Sequence, residues 1–195
     1  MSEYESARDK ALKAITVPKD DEFSQDYVEG PAPQILADVL IEHCDEVEAA
    51  GEFKIKFAWK RTGGKSTGMA TLGKCVKLSG LTLYFGKVDF VVWLAADHCR
   101  DRAGINLAAL MFHELLHIDQ DENGLPTSRG HEFEGFSAEI ERFGIWRESI
   151  RPIATAFKES PFPEEQANEG SDRRPARGAR VRKPGDRASS AAPAS

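Results

Sequence analysis

Apolar positions recur every three to four residues in one stretch of this chain and every second residue in the next, and the change of period separates its elements. Ile35, Leu36, Val39, Leu40, His43 and Val47 fall at helical spacing after Pro31-Ala32-Pro33, with Gly51 as a stop, so a helix is predicted there. Across residues 53–60, Phe53, Ile55, Phe57 and Trp59 alternate with Lys54, Lys56, Ala58 and Lys60, which predicts a strand with one apolar and one basic face. Residues 62–68 read as a turn or loop, and a weaker strand is expected within 70–79. A third strand, over 88–95, is apolar on both faces and is expected to be buried or to present a covered edge. Leu107, Leu110, Met111, Leu115 and Ile118 then mark a helix, capped by Asp101 or Asn106 and ending in the polar run 119–124. Phe133, Phe136, Ile140 and Phe143 predict a last helix over 131–143, broken by Gly144, with a short amphipathic helix in 146–157. The class is α+β: a small twisted sheet packed on an N-terminal helix and on the helix around residue 113.

Composition adds the ends. Residues 1–30 are polar, without a repeating period, and read as a flexible arm; the domain is expected over 31–157. Residues 158–195 are rich in Pro, Gly, Ser, Ala and Arg and have almost no large apolar residues, so a disordered tail is expected. The chain's formal charge is −6, yet residues 171–187 hold seven cations against two anions, a local +5 that leaves −11 elsewhere. Any weak contact with nucleic acid is therefore expected through this basic tail. The longest strongly apolar stretch, 90–96, is too short for a bilayer span, and the acidic first residues lack the pattern of a signal peptide. The expectation is a cytoplasmic protein with no membrane partner. Cys44, Cys75 and Cys99 form no C-x-x-C pair, so neither a disulfide framework nor a cysteine metal site is indicated. Gly63-Gly64-Lys65-Ser66-Thr67 resembles part of a phosphate-binding loop, but Trp59 stands where its first glycine belongs, and nucleotide binding is rejected.

The chemistry lies in the histidines. His113-Glu114-Leu115-Leu116-His117 fits the H-E-x-x-H pattern inside a predicted helix. Two imidazoles four residues apart rise from consecutive turns on one side and can reach a single ion. Glu114, about 100° further round, sits beside that ion and can take a proton from water. Zinc suits such ligands: it brings the pKa of a bound water towards ~7 and polarises a carbonyl. One helix cannot enclose a tetrahedral ion, so a third ligand must come from elsewhere. His131 and Glu134 are the candidates; His131 is favoured, with Glu134 or Glu132 as a carboxylate that could orient an imidazole.

Residues 110–118, followed by Arg129-Gly130-His131-Glu132-Phe133-Glu134-Gly135-Phe136 and by Arg142-Phe143-Gly144-Ile145-Trp146, resemble the phage metallopeptidase family, whose core is similar to that of SprT-like zinc proteases. The resemblance spans about residues 33–146. It implies a zincin-like fold, Zn2+ held by His113, His117 and His131, and Glu114 as general base in hydrolysis of a peptide or protein substrate. No cysteine-rich zinc ribbon follows the core in this sequence, so a DNA-targeting role of the SprT kind is not expected from a matching module. The rival expectation is a non-catalytic binding protein in which zinc ties two helices together and the basic tail contacts nucleic acid or a protein partner.

Overall fold

The structure is a computed structural model that describes residues 2–66, 69–100, 104–131, 135–153 and 155. The chain begins with helix α1 (Glu3–Ala14), strand β1 (Tyr27–Glu29), helix α2 (Pro31–His43), strand β2 (Ile55–Lys60), and the two-residue strands β3 (Lys65–Ser66) and β4 (Met69–Ala70). Strand β5 (Gly73–Lys77), helix α3 (Gly80–Gly86), strand β6 (Phe90–Ala95), helix α4 (Ala96–Cys99) and helix α5 (Gly104–Leu116) follow. A hairpin of β7 (Ile118–Gln120) and β8 (Pro126–Ser128) leads to helix α6 (Ser137–Phe143). The mixed α+β class expected from the periodicity is observed.

The main sheet has the order β1-β2-β6-β5. β2 runs parallel to β6, with Phe57 opposite Val92 and Trp59 opposite Leu94, while β5 is antiparallel to β6 and forms the edge. The alternation in β2 works as its pattern predicts: Phe57 and Trp59 join the main core with Leu36, Leu40, Phe90, Met111 and Phe112. On the other face Ala58, Trp93 and Ala95 form a smaller cluster, and the Lys60 Nζ lies 4.8 Å from the Trp93 ring centroid. The strand that is apolar on both faces, β6, is central, as double-sided burial requires.

Residues 2–30 do not form a flexible arm. They belong to the same compact unit as the following elements, which extends to residue 157. Ser2 and Glu5 form a reciprocal capping box that starts α1. Ala11 is buried, and Tyr4 and Leu12 pack against the core. Further on, Phe23 is buried beneath the Arg61 guanidinium, which donates to the Phe23 carbonyl. Arg100 ties the same segment down, donating to the Pro18 carbonyl at 2.9 Å and to Asp20 at 2.7 Å. β1 then pairs with β2, Val28 opposite Trp59. The arm reading fails because three short anchors replace one continuous apolar stripe. Deleting residues 2–14 is expected to lower stability by about 2–4 kcal/mol, as for the loss of one or two buried side chains; the midpoint of denaturant unfolding checks this, and an unchanged midpoint would make α1 dispensable.

Other boundaries shift. α2 ends at His43 and continues as a 3₁₀ turn over Asp45–Glu52, in place of one helix reaching Val47. α3 falls in a stretch with no predicted element and exposes Leu81, Tyr84 and Phe85. The Gly-Gly-Lys-Ser segment joins strand to strand, consistent with rejecting the phosphate-binding loop. Among the described residues, no helix is long and apolar enough to cross a membrane. Asp101, one of the two cap candidates, and the tail 158–195 with its proposed nucleic-acid contact lie outside the described residues.

Candidate metal centre

α5 is apolar almost throughout and carries His113 and Glu114 into the protein on its last turn, at 4 % and 3 % exposure. It stops at Leu116, earlier than the expected end in the polar run. His117 donates its N–H three residues back to Glu114, at 3.4 Å, and the chain turns into β7. The polar run is the tip of a hairpin instead: Asp121 Oδ1 accepts from the N–H groups of Asn123 and Leu125, and Gly124 takes a φ of +77°, which glycine adopts without strain.

The hairpin returns the chain to the helix end. The Arg129 N–H donates to the His117 carbonyl at 2.8 Å, and the Arg129 carbonyl lies 2.8 Å from His117 Nδ1. Because a carbonyl only accepts, Nδ1 of His117 holds the proton and Nε2 offers a lone pair. Two residues later comes His131. It was expected on the last helix, but α6 begins only at Ser137, and His131 sits in the segment between β8 and α6. Glu132 and Glu134 lie outside the described residues.

The three predicted histidines nevertheless come together. His131 Nε2 is 3.1 Å from His113 Nε2, and one ligand atom from each of His113, His117 and His131 lies within 4.8 Å of the others. Four-coordinate zinc with Zn–N bonds of ~2.0–2.1 Å places its nitrogens about 3.3 Å apart, so the triad is close to the size such an ion needs. The second nitrogen of His113 is also engaged, its Nδ1 lying 2.6 Å from Glu139 Oε2. With both Nδ1 positions engaged, the lone pairs of His113 and His117 are directed by their partners, an arrangement that an ion completes and that two facing lone pairs alone oppose. Phe136, fully buried, packs its ring within 5.1–5.4 Å of all three imidazole centroids. Partial loss of water, then the neighbouring imidazoles of His113 and His117, holds His131 down to about 4; burial also lowers His117. Both are thus kept neutral, the form that ligates.

Glu114 stands beside the triad. Burial pushes its carboxyl up to about 7, against the pull of His113 and of a hydrogen bond from the Cys75 N–H on the edge strand. Gly73 is the close approach that makes room: a Cβ there would lie 2.7 Å from Glu114 Oε1 and 3.0 Å from Leu94. A cavity of about 360 Å³ opens over the group, bordered by Leu72, Gly73, Glu114, His131 and Arg147 among others. His98, Tyr84 and Arg129 do not line it.

Two residues of this site escaped the sequence reading. Glu139, completely buried, occupies the place beside an imidazole that Glu132 or Glu134 was expected to take, and Arg147 lies 3.6 Å from it. A signal for Glu139 existed: it stands three residues after Phe136 and next to Ile140, a carboxylate on the apolar stripe of a helix.

Three imidazoles whose ligand atoms gather within 4.8 Å, with a buried carboxylate facing an open cavity, could hold a metal ion and leave room for a reacting molecule. The chain belongs to the family described as putative phage metallopeptidase, which matches residues 25–158. No curated protein and no solved structure matches it.

Proposed function

We propose that this protein is a zincin-like, zinc-dependent peptidase in which His113, His117 and His131 hold the ion and Glu114 is the general base. The observation that carries this reading is Glu114 itself: a buried carboxylate next to the triad, not hydrogen-bonded to the ligands' Nδ1 atoms, and facing the cavity. A site that only tied elements together would have no use for it. When bound, zinc supplies Lewis acidity that polarises the scissile carbonyl and acidifies water.

Glu114 removes a proton from the attacking water and later passes it to the leaving amine. A base with a pKa near 7 suits both halves of that exchange. The Cys75 N–H holds the carboxylate against β5, so the base has one position relative to the edge strand. Glu139 and the Arg129 carbonyl fix the rings of His113 and His117. Because β5 is the sheet edge and borders the cavity, an extended peptide can add to it as a further strand and bring its carbonyl over Glu114.

The test uses the full chain and a dye-labelled unfolded protein. Cleavage that stops on treatment with a strong chelator and returns with one equivalent of zinc supports the reading; zinc binding with no cleavage across a broad peptide mixture would replace it with the binding-protein alternative. Gly73→Ala gives a finer check. The added methyl displaces Glu114, and a shift of about 1 Å in a reacting group costs up to roughly 10²-fold in rate. Activity is expected to fall by at least about tenfold at unchanged zinc content, measured side by side; native activity would mean that Glu114 does not need its place against β5.

A further inference from the structure

The proposed reaction puts negative charge on the substrate carbonyl oxygen, and a second group of the cavity is built to meet it. Arg147 follows Trp146 just beyond α6, and its guanidinium lies over the Trp146 ring at 5.1 Å. One amino group, Nη2, is turned towards Glu139 Oε1 at 3.6 Å. Glu139 is inaccessible, and its other oxygen is taken by His113, so the cation is held by a carboxylate that cannot itself move. The Arg147 side chain keeps 21 % exposure and borders the cavity together with Glu114, His113 and His131. Gly135 lets it approach: a Cβ there would be 3.0 Å from Nη2 and 2.1 Å from Glu139 Oε1.

Lys74 also borders the cavity, but its register opposite Trp93 assigns its side chain to the sheet's other face, where Trp93 clusters with Ala58 and Ala95. Arg147 is therefore the cavity cation on the same side as the histidines.

We propose that Arg147 is a catalytic residue whose guanidinium stabilises the oxyanion formed when water adds to the scissile carbonyl. The inference rests on the peptidase reading. In the step concerned, the water oxygen bonds to the carbonyl carbon, its proton goes to Glu114, and the C=O π pair moves onto the carbonyl oxygen facing Arg147. Collapse returns that pair, breaks the C–N bond and sends the proton from Glu114 to the amine. A guanidinium suits the task because its charge is permanent and its donors lie in a fixed plane. It is positioned in advance by Glu139 and Trp146, so no reorganisation is needed as the charge develops.

The experiment compares the zinc-loaded full chain with Arg147→Gln, Arg147→Lys and Arg147→Ala, using a fluorogenic peptide that the native chain cleaves. Arg147→Gln is expected to lower kcat roughly 10²–10³-fold with KM within about threefold, the mark of an interaction made only in the transition state. Arg147→Lys keeps a charge beside Glu139 and is expected to fall between Gln and native. Added guanidinium ion is expected to restore part of the Arg147→Ala activity. A readout independent of turnover is the calorimetric affinity for a phosphonamidate peptide, whose tetrahedral anion mimics the adduct; it is expected to drop with kcat/KM while zinc stoichiometry stays at one. A raised KM at native kcat would make Arg147 a substrate anchor and overturn the inference. Loss of zinc in proportion to activity would reduce it to a support for Glu139, and native rates in Arg147→Gln would remove it while leaving the peptidase reading intact. If the native chain cleaves no peptide, the peptidase reading falls and this inference with it.

Discussion

Glu114→Gln is expected to fold, to bind zinc as the native chain does and to lose hydrolysis by roughly 10²–10⁴-fold, the contribution of a positioned general base. Glutamine keeps the size of the side chain and an oxygen that can still accept from the Cys75 N–H, so packing against β5 survives. What disappears is the ability to take up a proton. Removing a buried carboxyl whose pKa is raised by burial also removes a desolvation cost, so stability is expected to hold or to rise slightly. Metal analysis, thermal unfolding and peptide cleavage on one preparation settle the matter. Equal cleavage by native and mutant would end the general-base role, and metal loss by the mutant would show that Glu114 is a ligand.

The second large effect belongs to Glu139. Glu139→Ala leaves His113 Nδ1 without its acceptor inside a dry site and takes the counter-charge from Arg147. Losing such a partner typically costs 10–100-fold in metal affinity, and breaking a buried ion pair from one side costs about 3–5 kcal/mol of stability. Glu139→Gln retains an oxygen for the Nδ1–H and is expected to recover most of the affinity but less of the stability, because its ion pair with Arg147 is lost. Competition against a chromogenic chelator gives the affinity, and denaturant midpoints give the stability. Native affinity in both variants would mean that the His113 ring is held by packing against Phe136 alone.

How much could be read beforehand depended on whether the deciding contacts were local. The alternation in 53–60 predicted β2 because one face of that strand meets the core and the other does not. His113 and His117 were legible because their geometry is set within one helical turn. α1 was not, since its anchors are few and separated, although Ser2 and Glu5 carried its start signal three residues apart. The last helix was drawn too long because Phe133 and Phe136 continue the period of Ile140 and Phe143, whereas α6 begins only at Ser137, after Phe136. His131 was expected within that last helix, which it does not join, and it reaches the triad through the hairpin instead. Glu139 and Arg147 act across 26 and 8 residues, on His113 and on each other, distances over which only the folded chain decides what meets.

The β7–β8 hairpin has a bearing on how relatives of this chain are to be sought. His117 and His131 are brought together by the exchange between His117 and Arg129 at the open end of the hairpin, while its tip, residues 121–125, is exposed and points away from that junction. Residues can be added to or removed from the tip as long as the strands stay paired. The thirteen residues between the two histidines are therefore a property of this chain and not of the chemistry, and a search motif with a variable gap there, but a strict Arg/X-Gly-His ending, follows the geometry better than one with a fixed count.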